Sequence, residues 1–173
     1  MFGSSLMLLG AYLTAIHVLS GVSALECDDG IVSISNSSDI DFYKTCPIID
    51  STLFYIAHEF TGPFDLPGVE SLPKISSGYL GPKLEGSDWV EDGVTTVYMP
   101  DLVNLTYAGM LFGYIENLTS VSFPKLNFIE GDIAIVGDYK LRNVSLPALS
   151  TVVGAVLLDG HFDQHVFPAL RRG

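Results

Sequence analysis

Short runs of alternating apolar and polar residues, each interrupted by a proline, recur along the chain. The run at 121–135 reads VSFPKLNFIEGDIAI, and the run at 144–158 reads VSLPALSTVVGAVLL. Alternation is typical of β-strands, but proline cannot donate a hydrogen bond to a strand ladder and belongs at a strand end or edge. The pattern therefore predicts very short strands that meet at a proline-containing corner.

The proline-containing runs align as copies of one repeat, V-x-[MFL]-P-x-L-x-x-[LIV]. The aligned prolines are Pro67, Pro100, Pro124, Pro147 and Pro168, and the successive spacings are 33, 24, 23 and 21. The longest spacing contains GPKLEGSDWVEDG (81–93), which is rich in glycine and acidic residues and is predicted to be an insertion loop. The common period is short for a helical repeat and fits one turn of a β-solenoid.

Within one repeat, three pairs of apolar residues are predicted to face the core. In the copy at 121–135 these pairs are Val121 with Phe123, Leu126 with Ile129, and Ile133 with Ile135. Ser122 and Ala134 are predicted to point outwards, and glycines 109, 131 and 154 to lie at a corner where a positive φ or a close backbone approach costs little. The alternative is a β-sandwich of hairpins, which calls for Asp-Gly or Asn-Gly turns at regular spacing.

The N-terminal segment 1–24 has no charged side chain, an apolar middle and a small-x-small ending at Val22-Ser23-Ala24. This pattern predicts a secretory signal peptide over 1–24, followed by one domain over 25–173. A membrane anchor is the alternative, although glycine, serine and threonine interrupt the segment.

The two cysteines, Cys27 and Cys46, are predicted to form a disulfide because an isolated pair in an exported chain usually does. A free or metal-bound pair is the alternative. Between them, Ile31 and Ile34 predict a first short strand. Ser38-Asp39-Ile40-Asp41 resembles a capping box that begins a helix through Phe42, ended by Cys46. Strand and helix together are expected to cap the N-terminal end.

Four Asn-x-Ser/Thr sequons are predicted N-glycosylation sites, at Asn36, Asn104, Asn117 and Asn143. The alternative is that some of these asparagines lie in turns and bond their own backbone. The net charge is −12 and the eight lysines and arginines are scattered. Nucleic acid is therefore not an expected partner.

Several segments together resemble a fungal family of cell-wall glycoproteins, the sporulation-specific and extracellular-matrix proteins that carry GPI anchors. They are SSDIDFYKTC before the second cysteine, LPGVESL (66–72), NLTSVSFPKL (117–126) and the I-x-G-x-I that follows. The resemblance covers roughly positions 25–170. It implies a receptor L-domain-like fold, which is a right-handed parallel β-helix related to leucine-rich repeats. The last three proline spacings, 24, 23 and 21, would each be one turn of that helix.

The same resemblance implies a secreted, non-enzymatic protein of the cell wall or cell surface that supports wall organisation. Its partners would be wall glycans or wall and surface proteins. The chain lacks the serine-rich stalk and GPI signal of the family, so it is expected to be the N-terminal part of such a protein or a shortened product. A receptor-like binding module for a protein or glycan ligand is the alternative reading.

A carbohydrate-active β-helix enzyme is the third alternative, since such enzymes place carboxylates on one exposed sheet. The outward positions here are Ser122, Ala134 and Ser145, which cannot act as acids or bases. The acidic residues Glu85, Asp88, Glu91 and Asp92 gather in the insertion loop, which is typical of a solvated face. A weak Ca²⁺ site there is an alternative.

The sequence His161-x-x-x-His165, with Asp163 between, is placed in a turn with no third ligand, so no metal site is expected. No catalytic residue and no cofactor are therefore predicted. The C-terminal repeats, with Val152, Val156 and Leu158, lack an evident cap. They are expected to expose apolar side chains and unpaired strand groups that favour self-association.

Overall fold

A computed structural model describes residues 27–28, 30–79, 93–163 and 167–170. The predicted signal peptide (1–24) and nearly all of the predicted insertion loop (81–93) lie outside the described residues; Gly93 already belongs to a strand. The described residues form one helix, α1 (Ser37–Tyr43), and twelve strands. The strands are β1 (Ile31–Ile34), β2 (Leu53–Ile56), β3 (Thr61–Asp65), β4 (Ser71–Gly78), β5 (Gly93–Tyr98), β6 (Asn104–Gly113), β7 (Ser120–Ser122), β8 (Phe128–Ile129), β9 (Asp132–Val136), β10 (Asn143–Ser145), β11 (Thr151–Val152) and β12 (Val156–Leu158).

The strands form two parallel sheets. Sheet A has the order β1-β2-β4-β6-β8-β11, with β9 beside the second half of β6 and β12 beside β9. Sheet B has the order β10-β7-β5-β3. Every pair of named strands in the described residues is parallel. A sandwich built from hairpins is therefore wrong, since a hairpin pairs its strands antiparallel.

The strand register follows the sequence repeat. In sheet B, Val97 pairs with Val121 and Val121 pairs with Val144, which are 24 and 23 positions apart. In sheet A, Met110 pairs with Ile133 and Ile133 with Val156, each 23 positions apart. Each repeat therefore supplies one strand to sheet B and then either one long strand or two short strands to sheet A. The predicted all-β class is confirmed.

Rows of buried side chains cross the inner faces of both sheets and belong to a single hydrophobic cluster. All six residues predicted to face the core in the copy at 121–135 are fully buried. Ser122 and Ala134 lie on the outer faces, as predicted. The first short strand predicted at Ile31 and Ile34 is confirmed as β1, in which Val32 and Ile34 are buried and Ile31 is exposed. Strand alternation makes 32 and 34, rather than 31 and 34, share a face.

Four of the five repeat prolines lie just after a strand of sheet B. Strands β3, β5, β7 and β10 end two residues before Pro67, Pro100, Pro124 and Pro147, respectively. The proline therefore occupies a position where no ladder donor is needed, as predicted. Two other prolines lie inside strands, Pro63 in β3 and Pro73 in β4, and the strand register shifts beside each of them.

The corner glycines allow neighbouring repeats to approach closely. Gly109 and Gly131 have positive φ values of 80° and 136°. A Cβ on Gly109 would overlap the backbone oxygen of Asp132, and one on Gly131 would lie 2.6 Å from the carbonyl carbon of Ala108. Gly154 has no positive φ, but its Cβ would lie 2.5 Å from the carbonyl carbon of Gly131. The prediction for this corner is confirmed for Gly109 and Gly131 by their positive φ values, and for Gly154 by its close approach to the neighbouring backbone.

Helix α1 covers the N-terminal end of the core, as predicted, but its cap lies two residues earlier than the capping box at Ser38–Asp41. The N-cap is Asn36, whose side-chain oxygen accepts a hydrogen bond from the Ser38 N–H at 2.8 Å. Asp39 completes the box by accepting from the N–H of Asn36 at 3.1 Å. Asparagine at the N-cap and aspartate at N3 therefore satisfy the helix start, and Ser38 is inside the helix.

The disulfide Cys27–Cys46 ties the segment before β1 to the segment after α1. The two Cα atoms are 5.7 Å apart, and Cys46 is fully buried. Closing a loop of this length stabilises a domain by about 3 kcal/mol. The buried Tyr43 ring of α1 makes an edge contact with Phe54 of β2, with ring centroids 6.5 Å apart. The bridge and the aromatic contact hold the cap against the first strands.

Candidate functional site: outer faces and sequons

The four sequons lie in four different structural settings. Asn36 is exposed at the start of α1, and its side-chain oxygen is used in the helix cap. Asn104 is the first residue of β6 and is half-buried. Asn117 lies in the turn between β6 and β7, where its side-chain oxygen accepts from Lys140 Nζ at 3.0 Å. Asn143 begins β10 on the outer face of sheet B.

The residues that follow Asn117 and Asn143 are buried, as the predicted alternation requires. Leu118 is fully buried and Val144 is 2% exposed. The asparagines themselves are not buried, and Asn143 Nδ2 donates to Ser120 Oγ at 3.1 Å across the two strands. The Asn143 nitrogen to which a glycan would be attached is therefore hydrogen-bonded to the serine on the neighbouring strand. Glycan attachment itself stays a prediction for all four sites.

The outer face of sheet B carries two rows of mostly polar, uncharged side chains, which we call the hydroxyl face. The first row contains Pro63, Thr96, Ser120 and Asn143, and the second contains Asp65, Tyr98, Ser122 and Ser145. Among these eight residues only Asp65 carries a charge. Tyr98 is 40% exposed, and the serines beside it are half-buried. From the sequence, only Ser122 and Ser145 of this surface were predicted to point outwards, together with the Asn143 sequon. The other members of the rows could not be predicted, because the register that aligns them is known only from the structure.

The outer face of sheet A is chemically different from the hydroxyl face. Its central row contains Ser33, Tyr55, Ser76, Leu111, Ala134 and Leu157 in register. The later half of the row consists of Leu111, Ala134 and Leu157, and Leu157 at its end is 57% exposed. Sheet A therefore presents a more apolar outer surface, and sheet B presents one that mainly bears hydroxyl groups.

Asp101 connects three consecutive repeats at the corner after the proline. Its carboxylate accepts from the Gly68 N–H at 2.9 Å and from Lys125 Nζ at 2.8 Å. The hydrogen bond from Lys125, followed by that from Gly68, lowers the pKa of the Asp101 carboxyl below its ordinary value. The same bond to Asp101 raises the pKa of the Lys125 ammonium. This arrangement ties repeats together at the surface and has the chemistry of a structural clamp.

Asp138 is a buried carboxylate that the sequence analysis did not single out. It is 1% exposed, and its Oδ1 accepts from the Ile115 N–H of the preceding repeat at 2.7 Å. Residue Tyr114, just before that N–H, has a positive φ of 56°. The carboxylate therefore satisfies a backbone donor that the strained turn directs inwards. The only sequence signal was the Gly137-Asp138 dipeptide directly after a strand.

Of the histidines and acidic residues considered for metal binding, only His161 and Asp163 belong to the described part of the chain. His161 is exposed, and its carbonyl oxygen accepts from Arg142 Nη1 at 3.3 Å. Both His165 and the acidic loop residues Glu85 to Asp92 lie outside the described residues. Among those that are described, no group of three or more His, Cys, Asp or Glu side chains could hold a metal ion. None of the described residues forms a helix with the length and apolar character needed to cross a bilayer.

Comparison of the chain with models of protein families, with curated proteins and with solved structures finds no match.

Proposed function

We propose that the chain is a secreted, non-enzymatic glycoprotein of the fungal cell wall or cell surface that supports wall organisation through wall glycans or wall proteins. We further propose that its two sheets are sides of one right-handed parallel β-helix with a receptor L-domain-like topology. The observation that carries the proposal is the in-register stacking of the proline-containing repeats, which coincides with the motifs that resemble the wall glycoprotein family.

Three physical features support the architecture. The pairings of residues 97, 121 and 144 advance by one repeat per strand, which is how a helix of strands accumulates. Parallel strands joined by crossovers are right-handed in about 98% of cases. The Cys27–Cys46 disulfide is a bond typical of exported proteins, and it secures the end of the stack.

A wall protein of this kind needs a rigid surface rather than a reactive centre. The hydroxyl face offers serine, threonine, asparagine and tyrosine groups, which hydrogen-bond to glycans but do not perform acid–base chemistry at neutral pH. The sequons at Asn36, Asn104, Asn117 and Asn143 would add glycans of the protein's own. These features favour binding and scaffolding.

The proposal is tested by expressing the full chain with a C-terminal epitope tag in a yeast and separating culture medium, membranes and washed walls. We expect the tagged chain in the medium or the wall fraction, with its signal peptide removed. Purified protein is then incubated with a panel of wall polysaccharides. Saturable binding without release of reducing ends supports the proposal, whereas turnover of any polysaccharide or retention inside the cell contradicts it.

A further inference from the structure

The hydroxyl face carries little charge, although the chain as a whole is strongly acidic. The chain has 20 acidic and eight basic residues, a net charge of −12. The eight positions of the face nevertheless include a single acid, Asp65, which lies on the edge strand β3. The remaining side chains are neutral and, apart from Pro63, able to donate or accept hydrogen bonds. A ligand that matches this surface is therefore rich in hydroxyl groups and carries no charge.

The geometry of the face repeats at the strand spacing. Thr96, Ser120 and Asn143 are direct partners in the register of three neighbouring strands, as are Tyr98, Ser122 and Ser145. Neighbouring strands lie about 4.8 Å apart, so equivalent groups recur at that distance across the sheet. The Asn143–Ser120 hydrogen bond fixes two members of the first row relative to each other. A long ligand with its own short repeat can meet such a surface at several points at once.

Tyr98 gives the face a flat apolar element next to the hydroxyl groups. It is the exposed aromatic residue within the two rows, and it stands beside Ser122. Aromatic rings offer a large, rigid contact area with a polar hydroxyl at one end. Sugar rings present both an apolar face of C–H groups and a rim of hydroxyls, so they fit a surface with both kinds of group.

From these observations we infer that the hydroxyl face is a binding surface for a neutral polysaccharide chain, which lies across strands β5, β7 and β10. This inference rests on the proposed wall function and names the surface that performs it. The negative chain repels polyanions, so acidic polysaccharides are excluded as ligands. A glycan attached to Asn143 would compete for the same surface.

The test uses the chain exported to the periplasm of a bacterium that attaches no N-glycans, so that the disulfide can form and all eight residues of the hydroxyl face are kept. Binding of β-1,3-glucan, chitin and α-mannan oligosaccharides is measured by calorimetry, with oligogalacturonate as the acidic counterpart. We expect saturable binding of at least one neutral probe and binding of the acidic probe that is weaker by about tenfold or more.

In the same background, Ser122→Glu places an unpaired charge in the centre of the face and is expected to weaken binding about tenfold or more. Thr151→Glu is the matched control, because Thr151 is an exposed outward residue of the short strand β11 in sheet A. It is expected to leave the affinity unchanged. Tyr98→Ala is a second disruptive variant should Ser122→Glu fail to fold.

The inference is overturned if no neutral probe binds, or if Ser122→Glu and Tyr98→Ala bind as tightly as their background. A chain that fractionates with the wall but shows either result keeps its proposed function and loses this surface. A chain retained inside the cell fails the proposed function, whatever its calorimetry shows.

Discussion

At the scale of single residues, the contacts between repeats depend on places where a side chain is missing or buried. Gly109 and Gly131 bring backbones of neighbouring repeats together where a Cβ has no room. Asp138 instead uses a buried side chain, because its carboxylate reaches into the preceding repeat and accepts a hydrogen bond from the Ile115 N–H. Both devices depend on the neighbouring repeat being in register, so each is a local check on the stacking.

Gly109→Ala is expected to destabilise the protein by about 3 kcal/mol or more. Two costs add at this position, because the residue has a φ of 80° and its Cβ would overlap the Asp132 backbone. Equilibrium unfolding in urea measures the change as a shift in the midpoint.

The matched control is Gly62→Ala, since Gly62 has a φ of 89° but open space around the Cβ position. That variant is expected to cost only the left-handed strain, about 1–2 kcal/mol. Gly30→Ala has neither a positive φ nor a neighbour within 4 Å and is expected to be close to neutral. Equal losses for Gly109→Ala and Gly62→Ala would show that close approach between the repeats is not limiting.

We predict that the sequons at Asn104, Asn117 and Asn143 accept glycans when the chain is secreted, and that Asn36 does so at the helix start. Asn117 and Asn143 precede buried residues, so strand alternation turns their side chains outwards. Enzymatic deglycosylation should lower the intact mass and leave aspartate at each modified site, which peptide mapping identifies. A mass that does not change contradicts the prediction.

At the scale of elements, the sequence predicted what depends on periodicity. Proline and alternating apolar residues located the sheet B strands, and the six buried residues of the copy at 121–135 were correct because a period of two determines the face. The N-cap was misplaced because Asn36 and Ser38 are both good cap residues. Only the hydrogen bonds, from the Ser38 N–H to Asn36 Oδ1 and from the Asn36 N–H to Asp39 Oδ2, distinguish them. Asp138 could not be predicted as buried, since an isolated aspartate after glycine is typical of an exposed turn.

The clamp at Asp101 predicts how stability changes with pH. The lowered pKa of Asp101 means that its contribution is present above the unfolded value, about 4, and is lost as the pH falls through the lower folded value. The raised pKa of Lys125 means that its contribution is present below about 10 and is lost as the pH rises through the folded value. Between these limits the clamp is intact.

Asp101→Asn is therefore expected to lower the melting temperature at pH 7 and to lose less stability than the wild type between about pH 5 and 2. Thermal unfolding followed by circular dichroism at a series of pH values measures both effects. Asp41→Asn is the control, because it removes the exposed ion pair between Asp41 of α1 and the C-cap residue Lys44, which connects no repeats. If Asp101→Asn and the wild type lose the same stability as the pH falls, the clamp is ruled out as a source of the pH dependence.

At the scale of the whole molecule, the repeat predicted parallel stacking but not how the strands divide between two sheets. The pairing also departs from a uniform repeat, since the register shifts beside Pro63 and Pro73 and β6 pairs with both β8 and β9. The contrast between the two outer faces also follows from register. Residues a whole repeat apart become neighbours only once the stacking is known, so the hydroxyl face had no local sequence signature.

The final prediction concerns the C-terminal edge of the stack. Within the described residues, strands β10, β11 and β12 each pair with one neighbour only. Val153, just after β11, is 65% exposed and Leu157 of β12 is 57% exposed, while Val152 and Leu158 are half-buried. Unpaired strand edges that carry exposed apolar side chains favour pairing with another chain. A purified, glycosylated polypeptide spanning 25–173 is therefore expected to self-associate at micromolar concentration, as measured by light scattering.

Val153→Lys should shift this polypeptide towards the monomer, because lysine at an edge opposes pairing. Tyr139→Lys is the control, since Tyr139 is 75% exposed in the turn before β10 and lies outside the edge strands. A wild-type chain that scatters as a monomer at that concentration would mean that the edge is covered, whereas equal effects of the two lysine variants would assign the association to another surface.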